Sequence, residues 1–258
     1  GFDVIDQVLQ DTDLRVDAVG IGTRGYIKLD GSVAIDEASI MPGWTGTALA
    51  SEVQAHCGLP CAVLNDVQAY ALGEARWGAA RTAHSVAVVA IGTGIGGALV
   101  IDGVLERGTN GFASEWSHVP CVYAQGIPCV CGGVSHLQSA AAGMGITERY
   151  HALTGRDLSA RDIAQLANDG QPEAVKIIRE AGLALGEAIV GWVSMLDLDA
   201  VCLAGSVIKA GPVWQAGFDE AIAPVYPRPG KQPSIERCSL GGHAAFIGAA
   251  EHALDTCF

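Results

Sequence analysis

The stretch Cys129-Val130-Cys131-Gly132-Gly133-Val134-Ser135-His136, with His118 upstream of it, constrains this chain more than any other feature. Four soft or borderline ligands fall close together, three of them in one Gly-rich loop. Zn²⁺ takes four Cys or His ligands in a tetrahedron, and turn-rich sequence bends short spacings around one ion. Eight cysteines in a short secreted chain would read as a disulfide framework. In 258 residues with no visible signal peptide, reduced thiols and a metal site are the expectation. The plainer alternative is a loop with two ordinary thiols and a surface histidine. A structural metal does not name a function, so the loop is read with its flanks.

The length allows one large or two small domains, with ample material for a core. Hydrophobic residues make up 50% of the chain and glycines number 34, a balance that fits an α/β enzyme with many tight strand–loop–helix junctions. No apolar run approaches the ~20 residues of a membrane span. The net charge of −13 disfavours nucleic-acid backbones and anionic membranes as partners. Any phosphate must therefore be held by local amides and cations. The chain opens at Gly1 rather than Met, and the expectation is that residues precede it.

Hydrophobic periodicity predicts a helix over residues 3–11 and a buried strand over Val16–Ile21. Tyr26 to Ile35 alternates around Asp30-Gly31, a hairpin signal. Trp44 to His56 reads as helix, Cys61–Leu64 as a short buried strand and Val67–Ala80 as the helix that follows. Ser85–Ile91 reads as a second strand, and another runs to Ile101. A long helix is expected from Pro172 to Leu196, a strand over Ala200–Leu203, and a last helix over Ala244–Ala253. Two lobes are expected, 1–84 plus 241–258 and 85–240, hinged near Thr82–Ser85. No linker, repeat or low-complexity segment interrupts them.

Gly20-Ile21-Gly22-Thr23-Arg24-Gly25 matches G-x-G-x-x-G, but the dinucleotide reading needs a helix next. Here Tyr26-Ile27-Lys28-Leu29 follows, which is strand, so the match is read as a decoy. Gly92-Thr93-Gly94-Ile95-Gly96-Gly97 lies between two β runs. Such a turn can offer backbone N–H groups to a phosphate, with Thr93 adding a hydroxyl; alternatively it is a plain glycine hairpin. It is not a Walker loop, since no Gly-Lys-Ser/Thr follows. Asn65-Asp66 falls at the carboxyl end of a strand and the start of a helix, where open α/β sheets place ligands. Asp66 reads either as the helix N-cap or as a general base for a substrate hydroxyl. Asn65 suits a polyol. Glu115 and His118, three apart, would face one way on a helical turn beside the metal loop.

Asn65-Asp66, the Gly-Thr-Gly-Ile-Gly-Gly hairpin, Glu115-x-x-His118 and Cys129-x-Cys131-Gly132, in this order, resemble the ROK family of repressors and sugar kinases. The resemblance covers nearly the whole chain. Gly43-Trp44 matches the segment before a small-lobe helix. Ala181-Gly182, Ala184-Leu185-Gly186, Leu196-Asp197 and Val201 to Ser206 resemble the family's adenosine side. The resemblance implies an actin-like, hexokinase-type α/β fold of two lobes, with ATP, Mg²⁺ and Zn²⁺ as cofactors. It implies Asp66 as the base that deprotonates the sugar 6-hydroxyl. Asn65, Glu115, His118 and Gln138 match positions that hydrogen-bond the sugar. Gly92, Thr93, Gly94, Gly96 and Gly97 match a phosphate loop, and Gly205 and Ser206 a loop near the adenosine. His118, Cys129, Cys131 and His136 match the zinc ligands. A cytoplasmic homodimer is implied as well.

Three departures stand out. The family's third zinc cysteine is His136 here, and the Gly before it is Ser135; the site is expected to survive as His₂Cys₂. A sugar-contacting Glu of the family is Gln138, which is neutral, so Gln138→Glu is expected to tighten hexose binding. The family opens with three strands and an Asp-x-Gly-Gly-Thr phosphate loop that this chain does not show. The expectation is the C-terminal bulk of a longer chain, with kinase activity conditional on that segment. The resemblance thus implies an ATP-dependent kinase for the 6-hydroxyl of a hexose or N-acetylhexosamine. Gln68 puts N-acetylmannosamine ahead of glucose. The alternatives are a sugar-sensing repressor, which needs an N-terminal winged helix to bind nucleic acid, or an inactive sugar-binding module.

Overall fold

The computed structural model describes residues 2–35, 41–223 and 232–258. Its contacts define two compact units, Gly1–Thr82 with Ala98–Ser114 and Cys238–Phe258, and Ala83–Gly97 with Glu115–Arg237. These units differ from the lobes drawn from sequence by a few residues at 83–84 and 238–240, and over the whole of 98–114. That segment is tied into the first unit by side chains: Arg76 Nε donates to the Gly103 carbonyl at 2.8 Å, and Gln68 Nε2 donates to the Gly111 carbonyl at 3.1 Å.

In the first unit, α1 (Phe2–Asp11) precedes β1 (Val19–Thr23). The strand expected from Val16 begins at Val19, where parallel pairing to β4 (Cys61–Asn65) starts, Val19 opposite Cys61 through Thr23 opposite Asn65. The hairpin is present as β2 (Tyr26–Ile27) and β3 (Val33–Ile35), with Gly31 at φ +76° closing its tip. The helix expected from Trp44 is α2 (Leu49–Cys57). Residues 44–47 instead make a turn that bonds to Val33, Gly46 N–H to its carbonyl at 2.8 Å, and Gly46 sits at φ +88°. Ile27, Val33, Leu49, Ala50, Val53 and Val63 form one core here. Burial of branched side chains on both strand and helix is what fixes the register.

The remaining elements of that unit are α3 (Asp66–Trp77) and α9 (His243–Cys257), which pack on each other and on β1. Their approach is set by glycine. A Cβ at Gly73 would lie 2.1 Å from the Ala244 carbonyl oxygen, and one at Gly248 1.8 Å from that of Ala69. Gly20 belongs to this packing and not to a nucleotide site: its Cβ would meet the Ala249 carbonyl oxygen at 2.1 Å. The decoy reading of G-x-G-x-x-G therefore has a structural cause.

In the second unit, β5 (Ser85–Ile91) pairs in parallel with β8 (Ala200–Ala204), and β8 with β9 (Ser234–Arg237). β5 and β8 are almost wholly buried, as an apolar run covered on both faces must be. β6 (Ile95–Ile101) leaves this unit after Gly97 and ends in a hairpin with β7 (Val104–Leu105) in the first. α4 (Gln138–Ala141), α5 (Gly143–Thr154) and α6 (Ala160–Asn168) lead to α7 (Pro172–Leu196). α7 starts where sequence places it because Pro172 sits in its first turn and Gln171 caps Ala174 N–H at 2.7 Å. It packs on α8 (Pro212–Ile222), and a Cβ at Gly182 would lie 2.2 Å from the Trp214 carbonyl oxygen. Among the described residues no helix is long and apolar enough to cross a membrane.

Candidate functional site

His118, Cys129, Cys131 and His136 each present one ligand atom, and these atoms lie within 4.8 Å of one another. Tetrahedral zinc, with bonds of about 2.0 to 2.3 Å, separates its ligands by roughly 3.3–3.8 Å, so the set needs little adjustment to close on an ion. Cys131 Sγ is 3.2 Å from His136 Nδ1, and the two imidazoles stack with centroids 5.3 Å apart. Ser117 Oγ meets His118 Nδ1 at 3.0 Å, which leaves Nε2 as the coordinating nitrogen.

Backbone geometry makes the cluster. The Cys129 N–H donates to the Gly133 carbonyl at 2.8 Å and the Gly132 N–H to the Cys129 carbonyl at 2.9 Å. A Cβ at Gly133 would come within 2.6 Å of His136 Cε1, so a larger residue there would displace the imidazole. Ser135 adopts φ +64°, a region that favours glycine. Its hydroxyl accepts from the Gly126 N–H at 2.9 Å, which offsets the strain of replacing a glycine there. Burial, reinforced by His136, holds His118 below its ordinary value, so the ring is neutral at neutral pH. Burial pushes the Cys129 thiol up, but hydrogen bonds from the Cys131 backbone and from Gln138 and His136 outweigh it and bring the thiol down to about 7. A neutral imidazole and a readily formed thiolate are the states a metal needs. The donor set suits a tetrahedral ion of the zinc type.

The Gly92–Gly97 turn lies at the carboxyl end of β5, beside the carboxyl end of β8 where Gly205 follows, since Ala90 is registered opposite Ala204. It is clamped from below: Gly143 N–H donates to the Gly92 carbonyl at 2.8 Å and Met144 N–H to that of Thr93 at 3.1 Å, both from the start of α5. The glycines differ in purpose. Gly92 meets nothing within 4 Å, so its surroundings are open, whereas a Cβ at Gly97 would strike the Val88 carbonyl oxygen at 2.2 Å and the Trp116 ring at 2.5 Å. Gly205 is forced by packing, at φ +100° with Ile91 O only 2.1 Å from an added Cβ. Ser206 is exposed beside it.

At the other expected cluster, Asn65 and not Asp66 holds the N-cap of α3. Its Oδ1 accepts from Val67 N–H at 2.9 Å and Gln68 N–H at 3.4 Å, and its Nδ2 donates to the Gly25 carbonyl at 3.0 Å. Asp66 is exposed in the first helical turn, where the helix dipole favours an anion. One oxygen, Oδ1, accepts from Val67 N–H at 2.9 Å; Oδ2 faces no donor among the described residues. Glu115 and His118 do not share an α-helical turn. A single 3₁₀ turn, Trp116–His118, follows Glu115 and closes with His118 N–H on the Glu115 carbonyl at 3.2 Å. It stops because Val119 precedes Pro120 and is forced extended. Trp116, against Trp192 at 4.5 Å between centroids, anchors the turn.

Two contacts escaped the sequence reading. Gln138 is buried, and its Nε2 donates to Cys129 Sγ at 3.1 Å. Glu74, wholly buried, accepts from Ala79 N–H, Ser239 N–H and Leu240 N–H at 3.1, 3.0 and 2.7 Å. No periodicity signals either, because both partners are remote in sequence or sulfur.

The profile of the ROK family matches residues 2–256. A glucokinase of Halalkalibacterium halodurans is 28% identical, over 89% of this chain and 74% of its own length. An N-acetylmannosamine kinase of Vibrio vulnificus is 31% identical over 74% of this chain and 65% of its own. The xylose repressor of Bacillus subtilis is 27% identical over 92% and 61%. Among solved structures, a ROK hexokinase from Thermus thermophilus superposes with TM-score 0.90 at 26% identity, covering 99% of this chain and 84% of its own. A ROK glucokinase from Streptomyces griseus, in complex with glucose and AMPPNP, gives 0.76 at 26% identity over 98% and 87%.

Proposed function

The chain belongs to the ROK family, whose fold is that of the ROK hexokinases, and we propose that it is an ATP-dependent kinase for the 6-hydroxyl of a hexose or N-acetylhexosamine. The observation that carries the reading is the division of labour at α3. Because Asn65 caps the helix, the Asp66 carboxylate keeps an unengaged oxygen at the helix start. A carboxylate so placed accepts the proton of a sugar hydroxyl as that oxygen attacks the γ-phosphorus. The new P–O bond forms as the bridging P–O bond to ADP breaks, and ADP leaves with the electron pair.

In this reading Glu115, His118, Asn65 and Gln138 are the side chains assigned to sugar hydroxyls. The N–H groups of Thr93 and Gly94 face phosphate oxygens, while the Gly92 N–H closes the turn on the Gly94 carbonyl at 2.9 Å and Gly96 and Gly97 shape it. Gly205 and Ser206 border the nucleoside. Mg²⁺, when bound with ATP, supplies charge neutralisation on the phosphates. Zn²⁺ would be held by His118, Cys129, Cys131 and His136 and would tie the turn that carries His118 to the loop that leads into Gln138. The relatives named above that are sugar kinases, and the nucleotide analogue in the Streptomyces griseus complex, support the assignment. N-acetylmannosamine is placed first and glucose second, on Gln68 and on the Vibrio vulnificus relative. A cytoplasmic homodimer belongs to the same proposal, and light scattering on a sizing column checks its subunit count.

The test is a coupled ADP-release assay of the full-length protein on N-acetylmannosamine, glucose, N-acetylglucosamine, mannose and fructose. The highest kcat/KM is expected for N-acetylmannosamine. Glucose in first place reverses the substrate ranking. Sugar binding without turnover moves the chain to the sensor class, which the similarity to the Bacillus subtilis xylose repressor favours as the second reading.

A further inference from the structure

The proposed roles give Gln138 one task, contact with sugar, but its surroundings within the second unit point elsewhere. Its Nε2 donates to Cys129 Sγ at 3.1 Å, in a buried bond. Its other amide atom faces the glycine turn: a Cβ on Gly94 would lie 3.3 Å from Gln138 Oε1. One side chain therefore spans from a candidate metal ligand to the candidate phosphate turn. The metal-bound sulfur is a thiolate, which accepts and cannot donate, so the amide nitrogen is the end that must face it.

The backbone runs parallel to this link. Gln138 opens α4 two residues after His136. Ser139 Oγ donates to the Pro128 carbonyl at 3.1 Å, beside Cys129. Ala142 N–H bonds back to the Gln138 carbonyl at 3.1 Å, and the next two N–H groups, of Gly143 and Met144, hold the Gly92 and Thr93 carbonyls. Gly145 is pinned against the Gln138 and Ser139 carbonyls, each 2.5 Å from where its Cβ would be.

We propose that Gln138 is a positioning residue that joins the metal loop to the Gly92–Gly97 turn, its N–H stabilising the Cys129 thiolate while its carbonyl end seats Gly94. This rests on the metal reading given above. Only an amide at 138 performs both tasks. A glutamate there would set a carboxylate against a thiolate and lose the donor, so Gln138→Glu should weaken metal binding whatever its effect on hexose affinity. The bond to sulfur is of the outer-shell kind, whose loss costs about 10- to 100-fold in metal affinity.

The experiment compares full-length wild type, Gln138→Met, Gln138→Glu and Cys129→Ser. Zn²⁺ affinity is measured by competition with a chromophoric chelator, and amide hydrogen exchange is followed at 92–97. Wild type should hold about one zinc per chain, and Cys129→Ser should lose it. Gln138→Met, which keeps length and apolar contact, should bind zinc at least about tenfold more weakly, and Gln138→Glu more weakly still. Exchange at 92–97 should rise in both Gln138 variants even at saturating zinc, and in wild type when zinc is removed. Gln138→Met with wild-type zinc affinity and unchanged exchange overturns the link while leaving the metal site standing. Wild type without zinc affinity overturns the metal site itself.

Discussion

Glu74→Gln should cost about 3 kcal/mol of stability. The carboxylate is wholly buried and acts as the acceptor that joins the end of α3 to the segment entering α9. Oε2 receives the N–H groups of Ala79 and Ser239 and the Ser239 hydroxyl, the last at 3.4 Å, while Oε1 receives Leu240 N–H at 2.7 Å. Glutamine keeps one acceptor. Its better orientation leaves the carbonyl with Ala79 and Ser239 and turns the NH₂ toward Leu240 N–H, donor against donor. A buried N–H without a partner costs about 1–3 kcal/mol, and bonds that lose a charged acceptor weaken by about 0.5–1 kcal/mol each. The total is a large part of the ~5–15 kcal/mol that holds a domain. The rotated amide would leave two N–H groups stranded and so sets no lower cost. The assay is urea unfolding followed by far-ultraviolet circular dichroism, which reads the helices of both units, where the midpoint should fall by about 1 M at a slope near 3 kcal/mol/M. A midpoint within about 0.2 M of wild type, by the same slope, would refute the claim that this carboxylate latches the two helices.

Gly20→Ala should destabilise by several kcal/mol, since overpacking into backbone has no cheap relief, and should leave the nucleotide affinity of the folded fraction unchanged; calorimetry with a nucleotide analogue separates the two. His252 is held down to about 4, first by burial and then by the Arg107 cation. The unfolded chain then binds its proton more tightly, so stability is lost as pH falls below about 6.5, increasingly toward 4. His252→Gln should flatten that limb in a pH series of thermal midpoints, and an unchanged limb would remove His252 as its cause. Ser135→Gly relieves the φ +64° strain but removes the Gly126 bond, so the two effects should cancel to within about 1 kcal/mol; a larger shift in the urea midpoint would mean that one of them dominates.

Periodicity made most elements legible. The strand Ser85–Ile91 and the helix Pro172–Leu196 carry their own boundaries, an unbroken apolar run in one and Pro172 in the other. What stayed hidden is tertiary. Gly20, Gly97, Gly182 and Gly205 look alike in sequence, and only neighbouring carbonyls show that each is demanded by close approach. The Trp44–Thr47 turn was hidden because its partner is Val33 in another element. At the site, the proximity of His118, Cys129, Cys131 and His136 was readable from spacing because three of them share one short loop. The capping role of Asn65 was not, because either polar residue at 65 and 66 satisfies the cap pattern. The bond from Gln138 to Cys129 was hidden because only the fold puts that sulfur beside the amide.

The central claim is that Asp66 acts as base in phosphoryl transfer to a sugar. Its most direct test is the single-turnover rate of Asp66→Asn beside wild type, with sugar affinity measured on the same samples by calorimetry. Asparagine keeps the size and the hydrogen bond to Val67 but cannot take a proton. The rate should be lower by about 10²–10⁴-fold with sugar affinity within about threefold, since binding does not use the lost charge. A variant that turns over sugar at the wild-type rate would contradict the claim and leave Asp66 as no more than an acidic residue in the first turn of α3.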